Sequence, residues 1–525
     1  MRNIKLKLIA LLLVAALLLS GCGLIMLPRP FSRMEYIRPD VTALEQKLTA
    51  VEDLLPEAES ADQIMRAFFD FYNAFLSFST NYSLAYIHYC QDLTDIYWEE
   101  EYNYCLSHTT WLDASYNQLL YALADCSFAE ELESESYFGP GFFDEFQGDS
   151  PWDDTLIALQ EEESRLLSEY YALSAEEFDG TESYYEGTGL KIAEIYVEMI
   201  ALRQEIAEHT GYADYPSFSY DFHHYRDYTP QQAQIYMDRI QQTLVPLYQQ
   251  VASQDHTEYA WTESSEAQTL AYVERVAKKM GGNVEAAFNT MKQFDLYDIK
   301  ASEKKYDASF ELYLYAYQMP FVFVNSTGTN LDKLTLTHEF GHFCRDYLSY
   351  GAQQSLDVGE YFSQAMENLS LFYGTEGDAM RPLRLRQSLN VYVEQAAYAS
   401  FEQKVYSLTG DDLTVENVDA LFESTMASYG MDIWDIHKRD YVQIPHLFIS
   451  PLYIISYIVS NDAALQIYQQ EEKRAGAGLE TYLQTLQTSQ IRLMGFVEET
   501  GLESPFAPKR LETVRQTFEK ALLSE

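Results

Sequence analysis

The fold of this chain is decided by one stretch, Thr335-Leu336-Thr337-His338-Glu339-Phe340-Gly341-His342-Phe343-Cys344-Arg345-Asp346-Tyr347. It contains the pattern His-Glu-x-x-His. On an α-helix this spacing places two imidazoles one turn apart on the same face, where both can bind one zinc ion. Glu339 then lies beside the metal, where it can accept and donate protons. The pattern should arise by chance in roughly one or two chains per hundred of this length, so the surrounding residues must decide.

The local sequence predicts that this stretch is helical. Asn330 and Asp332 offer side-chain oxygens for an N-terminal cap, and Gly351 is a typical helix stop. The stretch also has an apolar face and a polar face on opposite sides. The apolar face carries Leu336, Phe340, Phe343 and Tyr347, and the polar face carries His338, His342 and Arg345. The helix should therefore bury one side in a core and turn both histidines toward a site.

The composition is that of a large globular protein. The chain has 525 residues, 47% of them apolar, which is enough for a large core and two lobes or domains. Most of the 43 tyrosines should lie in packed regions with their hydroxyls bonded. The formal net charge of −46 argues against binding to nucleic acid or anionic lipid. It would attract cationic substrates if focused in a cleft, but its main expected role is a solvated acidic surface.

The first residues have the features of a targeting segment. Arg2, Lys5 and Lys7 precede the apolar run Leu8–Leu19, which is too short to span a bilayer but typical of a signal-peptide core. The run ends in Leu19-Ser20-Gly21-Cys22, which resembles the bacterial lipoprotein box. We expect residues 1–21 to be removed and Cys22 to carry lipid, so that the protein is extracytoplasmic and anchored to the bacterial membrane. Plain secretion and retention of the segment as an anchor are the alternatives.

The rest of the sequence indicates a mainly helical chain. Residues 22–40 suit a tether, residues 41–189 an N-terminal helical lobe, and residues 190–525 a catalytic domain. Residues 137–152 read as a loop, and residues 173–189 as a turn or small hairpin. The remaining cysteines show no disulfide framework, and Cys344 is expected to be a small buried thiol.

One strand is predicted just before the motif helix. Residues 320–325, Pro-Phe-Val-Phe-Val-Asn, are rich in aromatic and β-branched side chains. As an edge strand beside a zinc site, the segment could hold a peptide substrate by backbone pairing. As an ordinary hairpin strand it would have no such role, and the sequence does not choose between the two.

A catalytic zinc site usually has three protein ligands and a fourth position for water. The third ligand should come from residues 357–368, where Glu360 and Glu367 are seven residues apart and share one helix face. Glu360 has another explanation, since Asp357 and Glu360 also fit a capping box. Chemistry alone does not choose between the two glutamates.

Residues 320–368 resemble the catalytic core of the oligoendopeptidase F and thimet oligopeptidase family of zinc peptidases. The family pattern there is approximately Pro-Phe-(apolar)-Phe-x-Asn, a loop with Asp, Leu-Thr-His-Glu-x-Gly-His, and later Glu-x-x-Ser-x-x-Met-Glu. The matching residues here are Pro320, Phe321, Val322, Phe323, Asn325, Asp332, Leu336, Thr337, His338, Glu339, Gly341, His342, Glu360, Ser363, Met366 and Glu367. The resemblance implies that Glu360 is the third zinc ligand and that Glu367 orients a ligating histidine. Several members carry a further histidine where this chain has Arg345, but that histidine is not a zinc ligand.

A second segment is similar to the same family. Trp434 and residues 444–457 resemble its Ile-Pro-His-aromatic…Pro-Phe-Tyr…Tyr pattern. The resemblance implies that His446 and one or both of Tyr453 and Tyr457 face the substrate and stabilise the oxyanion of the tetrahedral intermediate. Core packing is the alternative for both tyrosines. The resemblance extends over roughly residues 190–510, including Leu202-Arg203 and Arg226-Asp227-Tyr228, and is weaker over residues 40–189.

The sequence therefore predicts a mainly α-helical, two-lobed metallopeptidase with a deep channel and a small sheet beside the motif helix. Its predicted activity is that of a zinc-dependent endopeptidase, an oligopeptidase acting on short peptides, with one zinc ion and Glu339 as general base. The main alternative is a non-catalytic, membrane-anchored lipoprotein that binds peptides. A structural zinc protein and a peptidase of another zinc family are further alternatives, and Mn²⁺ or Co²⁺ could occupy the same site.

Overall fold

The computed structural model describes residues 29–148, 150–252, 260–352 and 354–523. The predicted signal peptide (1–21), the lipidation site Cys22 and the first part of the predicted tether lie outside these ranges. Within them, no helix combines the length and the apolar character needed to cross a membrane. The chain is mainly helical with one three-stranded sheet, so the predicted fold class is confirmed.

The helices and strands alternate with loops along the chain in a fixed order. They are α1 (Val41–Leu54), α2 (Ala61–Gln91), α3 (Ile96–Leu106), α4 (Thr109–Asp125), α5 (Ala129–Leu132), α6 (Asp154–Ser174), α7 (Glu182–Glu186), α8 (Thr188–His209), α9 (Tyr215–Phe218), α10 (Pro230–Ala252), α11 (Glu266–Met280), α12 (Gly282–Gln293), β1 (Tyr297–Asp298), β2 (Ser309–Leu314), β3 (Met319–Val324), α13 (Leu331–Ser349), α14 (Leu356–Tyr373), α15 (Gly377–Val405), α16 (Val415–Ser428), α17 (His446–Ile449), α18 (Ile455–Lys473), α19 (Ala477–Thr485), α20 (Leu493–Thr500) and α21 (Arg510–Leu522). The predicted turn or hairpin at 173–189 is wrong in part, because α7 and the start of α8 occupy this region.

The chain forms two compact units. The first comprises the described residues up to Asp153, with Trp261–Gln353 and Tyr373–Thr375. The second comprises Asp154–Ala260, Gln354–Phe372 and Glu376–Glu525. This grouping is discontinuous along the chain, whereas the predicted boundary between residues 189 and 190 divides the chain by function. That boundary stays a prediction, as does the predicted channel.

The core of the first unit is built on aromatic side chains of α2. Phe68 and Phe71 are almost fully buried, and Phe68 packs edge-to-face against Phe138. The helix can bury this stripe because its apolar residues recur at spacings of three and four. Each fully buried aromatic of this kind stabilises the fold by about 1.5–3 kcal/mol.

The described part of the predicted tether also packs on this unit. The Phe31 N–H donates to the Phe294 carbonyl, and the Phe31 ring lies 4.2 Å from that of Phe321. Arg38 pairs with the buried carboxylate of Glu101 at 2.8 Å. Residues 29–40 therefore have the contacts of a packed segment and not of a free linker.

The sheet has the order β1-β3-β2, with β3 in the centre. β2 runs antiparallel to β3 from Ser309 opposite Val324 to Leu314 opposite Met319, and β1 pairs in parallel with Val322 and Phe323. All six residues of β3 are buried. The predicted strand at 320–325 therefore exists, but it is not an edge strand. The possibility that it pairs with a substrate is wrong, since β1 and β2 already use its two edges.

Gly351 gives a stability prediction for the end of α13. Its φ of +67° lies in the left-handed region, and a Cβ there would lie 2.3 Å from a ring carbon of Tyr313. We expect Gly351→Ala to lower the free energy of unfolding by about 2–4 kcal/mol, since it adds both backbone strain and a clash. Urea unfolding measures this change. In the same unit, Gly139→Ala is the control, because Gly139 has a φ of +87° but open space around its Cβ. It should lose only about 1 kcal/mol. Equal losses in the two variants would contradict the clash.

The second unit is helical in its described part and is centred on α14, α15 and α18. Helix α15 packs against α10 and α18, and its residues Leu385, Leu389, Tyr392 and Phe401 are fully buried. Helix α14 is buried along almost its whole length. Buried polar side chains on α14 and α18 therefore need hydrogen-bond partners within the protein.

Candidate metal centre

Helix α13 presents the two motif histidines from a rigid base. Leu336, Phe340 and Phe343 have no exposed surface, and Phe340 packs edge-to-face on Phe288 of α12. His338 and His342 are partly exposed on the other side, with ring centroids 5.0 Å apart. The predicted amphipathic helix is confirmed, and its packing fixes the backbone from which both imidazoles project.

The start of α13 is organised differently from the prediction. Asn330 makes no side-chain cap, and its Oδ1 accepts a hydrogen bond from Lys333 Nζ at 2.8 Å. Asp332 instead accepts hydrogen bonds from the backbone N–H groups of Thr327 and Gly328, both at 2.9 Å. This carboxylate therefore ties the loop after β3 to the first turn of the motif helix.

Three carboxylates lie close together around the motif helix in the first unit. Glu339 is 4% exposed. Burial, followed by the negative charges of Asp346 and Glu339, raises the pKa of Glu311 on β2 well above its usual range. Burial also raises the pKa of Asp346, against the opposing effect of Arg345. Burial and these neighbouring charges therefore favour the protonated form of Glu311 at neutral pH.

Helix α14 places Glu360 in a defined hydrogen-bond network. Its Oε1 accepts the Tyr453 hydroxyl at 2.7 Å, and Ser363 Oγ lies 3.4 Å from its Oε2. Asp357 lies inside α14 and accepts hydrogen bonds from Ser456 and Arg226. These bonds are not those of the alternative capping box. Both oxygens of Glu360 are thus oriented by hydroxyl groups, as is common for carboxylates that bind metals.

His338, His342 and Glu360 form a candidate metal-binding group. Each offers one ligand atom, and these atoms lie within 4.8 Å of one another. Two imidazoles and one carboxylate are the donor set of a catalytic zinc site, which keeps one position open. The residues present therefore fit one zinc ion.

Glu367 lies two turns beyond Glu360 on α14 and is 8% exposed. It forms an ion pair with Arg384 of α15 at 3.0 Å. Sequence reasoning did not find this partner, because nothing in the spacing connects Arg384 with the motif. The predicted role of Glu367 in orienting a histidine remains a prediction.

The structure brings together His446, Tyr453 and Tyr457 in the second unit. The rings of His446 and Tyr453 are stacked at 5.4 Å, and the Tyr457 hydroxyl lies 3.4 Å from His446 Nε2. Burial lowers the pKa of His446, so this imidazole is neutral at pH 7. Burial and the charge of Glu360 raise the pKa of Tyr453, so its hydroxyl stays a hydrogen-bond donor. Trp434 instead donates from its Nε1 to the Tyr248 hydroxyl at 3.0 Å.

A buried ion network links helix α14, which carries Glu360, to helix α18, which carries Tyr457. Arg226 donates to Ser456 Oγ at 2.9 Å and pairs with Asp357 at 3.4 Å, while Ser456 donates to Asp357 at 2.6 Å. Asp357 lies one turn before Glu360, and Ser456 directly precedes Tyr457. The Arg-Asp-Tyr signature at 226–228 contributes Arg226, but the sequence alone does not predict the network.

Comparisons with known proteins agree with this architecture. Residues 31–149 match the family model of the Peptidase M3 N-terminal domain. A search of curated proteins finds no match. Among solved structures, two proteins assigned as oligoendopeptidase F, one of them from Bacillus anthracis strain Ames, are each 21% identical to this chain. Each match covers 95% of this chain and 99% of the other, with TM-scores of 0.81 and 0.77 respectively.

A third solved structure is PZ peptidase A with an inhibitor. It is 19% identical, covers 94% of this chain and 99% of its own, and has a TM-score of 0.81. The chain therefore has the oligoendopeptidase F fold. The N-terminal part of the chain is thus similar to the Peptidase M3 N-terminal domain, and the structure has the fold of the oligoendopeptidase F structures.

Proposed function

We propose that this protein is a zinc-dependent endopeptidase that hydrolyses short peptides. The observation that carries the proposal is the grouping of His338, His342 and Glu360, with Glu339 on the same helix as the two histidines. A zinc ion held by these three ligands would supply a Lewis acid for attack of water on a peptide carbonyl. The fold supports the same class of reaction, since the structures that share it include peptidases.

Glu339 is the proposed general base. It lies next to one ligand in sequence and three residues before the other, and it is almost fully buried. In such a site it accepts the proton of the attacking water and later delivers it to the leaving amine.

His446, Tyr453 and Tyr457 are the proposed donors to the oxyanion. Tyr453 holds an O–H group that remains protonated at neutral pH, and His446 is a neutral imidazole that can donate one N–H. Tyr457 offers a second hydroxyl beside His446. Such donors stabilise the negative charge that develops on the carbonyl oxygen. The bond from Tyr453 to Glu360 links this cluster directly to a metal ligand.

A cleavage assay tests the proposed activity. Purified protein loaded with one equivalent of zinc should hydrolyse members of a diverse library of internally quenched peptides, with internal cleavage seen by mass spectrometry. A chelator should abolish turnover and added zinc should restore it. Peptide binding without hydrolysis would overturn the proposal and favour the alternative of a peptide-binding lipoprotein.

We further propose that the protein is anchored outside the cytoplasm by lipid on Cys22, which leaves its short-peptide partners in the same compartment. In a bacterial host, the wild-type chain should incorporate labelled fatty acid and fractionate with membranes. Cys22→Ala should abolish the label and shift processing of the precursor. Cys126→Ala is the control, since Cys126 is a partly buried free thiol far along the chain. Equal labelling of Cys22→Ala and the wild type would contradict lipidation at this residue.

A further inference from the structure

The segment between His446 and Tyr453 ends in an unusual turn. The Tyr453 N–H donates to the Ser450 carbonyl at 3.2 Å, which closes a four-residue turn with Pro451 and Leu452 in its centre. Leu452 has a φ of +64°. Proline at the second position and a positive φ at the third are the features of a type II turn, in which the third residue is normally glycine.

A leucine in this conformation is strained. A non-glycine residue at positive φ costs about 1–2 kcal/mol, and such residues persist only where their surroundings hold them. Leu452 is 3% exposed and directly precedes Tyr453, whose hydroxyl reaches Glu360. The direction in which Tyr453 leaves the backbone therefore depends on whatever holds Leu452.

Glu402 of α15 holds this turn from the interior. Its Oε1 accepts the Leu452 N–H at 2.5 Å, while its Oε2 has no hydrogen-bond partner among the described residues. The side chain is 1% exposed, so a solvent molecule cannot readily replace this bond. His224 adds a second attachment one residue earlier, through a hydrogen bond of 2.8 Å to the Pro451 carbonyl.

The beginning of the same segment is held by Arg203 of α8. Its guanidinium donates to the carbonyls of Leu447 and Phe448 at 2.9 and 2.5 Å and pairs with Glu163 at 2.6 Å. The segment that carries His446 and Tyr453 is therefore attached at both ends to buried side chains of other helices. Of these attachments, the one by Glu402 acts on the strained residue itself.

The chemistry of Glu402 suits an acceptor that carries no charge. Burial raises its pKa to about 8, against the opposing effects of the Leu452 N–H and of Arg203 and Arg226. The side chain is thus mostly protonated at pH 7, and its carbonyl oxygen accepts from Leu452. Glutamine has the same shape and the same acceptor, so Glu402→Gln should preserve the bond.

We propose that Glu402 is a positioning residue that holds Leu452 in the left-handed conformation and thereby directs Tyr453 toward Glu360. The inference rests on the proposed function for its effect on activity. Loss of the bond would let the turn relax and move the Tyr453 hydroxyl, and a displacement of about 1 Å in a catalytic group can cost up to about 10²-fold in rate.

Kinetics of variants at two positions test this role. Glu402→Ala should lower kcat by about 10–100-fold with KM changed by less than about threefold, whereas Glu402→Gln should stay within about threefold of wild type. In the Glu402→Ala background, Leu452→Gly should recover activity relative to Leu452→Ala. Both substitutions remove the same packing, but only glycine adopts positive φ without strain. Equal activity of the two double variants would overturn the proposal.

A double-mutant cycle with Tyr453→Phe separates positioning from a general structural effect. If Glu402 acts through Tyr453, adding Glu402→Ala to Tyr453→Phe should cost less than about twofold, although it costs at least about tenfold alone. Independent, multiplicative losses would overturn the proposal. Thermal unfolding of each variant identifies any that simply fail to fold, and Glu402→Gln keeps the comparison open in that case.

A spectroscopic readout keeps the test independent of catalysis. With 3-fluorotyrosine placed at position 453, its ¹⁹F resonance should shift in Glu402→Ala and return in Glu402→Gln. An unchanged resonance in a folded Glu402→Ala variant would overturn the positioning role. If the resonance shifts in Glu402→Ala as expected but the wild-type protein cleaves no peptide, the proposed function fails and the structural role of Glu402 stands.

Discussion

The Glu339→Gln variant should hydrolyse peptides about 10³-fold more slowly than the wild-type protein while it still binds zinc. Glutamine keeps the size and most of the contacts of glutamate but cannot accept the proton of the attacking water. Since the residue is 4% exposed, bulk water is poorly placed to replace it as a base. The measurements are kcat on a fluorogenic peptide and zinc content by mass spectrometry, made on the same preparation.

The matched control for this variant is Glu303→Gln in the same unit, where the side chain is exposed. It should leave both turnover and zinc content unchanged. Turnover of Glu339→Gln within about tenfold of wild type would show that another group acts as the base. Loss of zinc together with activity would instead assign Glu339 a role in holding the metal.

The second large effect is expected at Glu360, where Glu360→Gln should weaken zinc binding by more than about 10²-fold. A neutral amide is a poor replacement for a carboxylate ligand, and removal of a ligand costs more than removal of a group that orients one. Competition with a chromophoric chelator measures the affinity. Activity at low free zinc should fall in parallel and recover in part when zinc is raised.

Glu367→Gln is the informative comparison, because spacing alone does not separate the two glutamates. It should weaken zinc binding by less than about 10²-fold, since Glu367 is proposed to act through a ligand. It also leaves Arg384 without its ionic partner, so thermal unfolding has to be measured beside affinity. A larger loss of zinc affinity in Glu367→Gln than in Glu360→Gln would reverse the two assignments.

Much of this architecture could be predicted because the residues involved are close in sequence. The helix over 335–347, the strand at 320–325 and the shared helix of Glu360 and Glu367 all follow from local periodicity. The clustering of His446, Tyr453 and Tyr457 within twelve residues was likewise predictable, through family resemblance. Residues whose role follows from a local sequence pattern could therefore be predicted.

Residues whose role depends on distant parts of the chain were missed. Glu402 meets Leu452 fifty residues later, and Arg226 meets Asp357 across 131 residues. Local periodicity in the sequence does not reveal pairs of residues that are so far apart along the chain. The edge-strand reading of 320–325 was wrong for the same reason, since β1 and β2 carry too weak a pattern to show that they enclose β3. The left-handed backbone conformation of Leu452 was not predicted, because the usual sequence signal for it, a glycine, is absent at this position.

The order in which the first unit is assembled follows from its discontinuous chain. Helix α2 bonds to residues more than 200 positions later: Thr80 accepts the N–H of Ala316, and the Cys90 carbonyl accepts that of Tyr306. During synthesis, the C-terminal part of α2 must therefore wait for β2 and β3 to emerge, at least about 10 s at 5–20 residues per second. Apolar surface on α2 stays uncovered in that interval. Residues 31–149, although matched as one unit by sequence, thus leave part of α2 without its later partners.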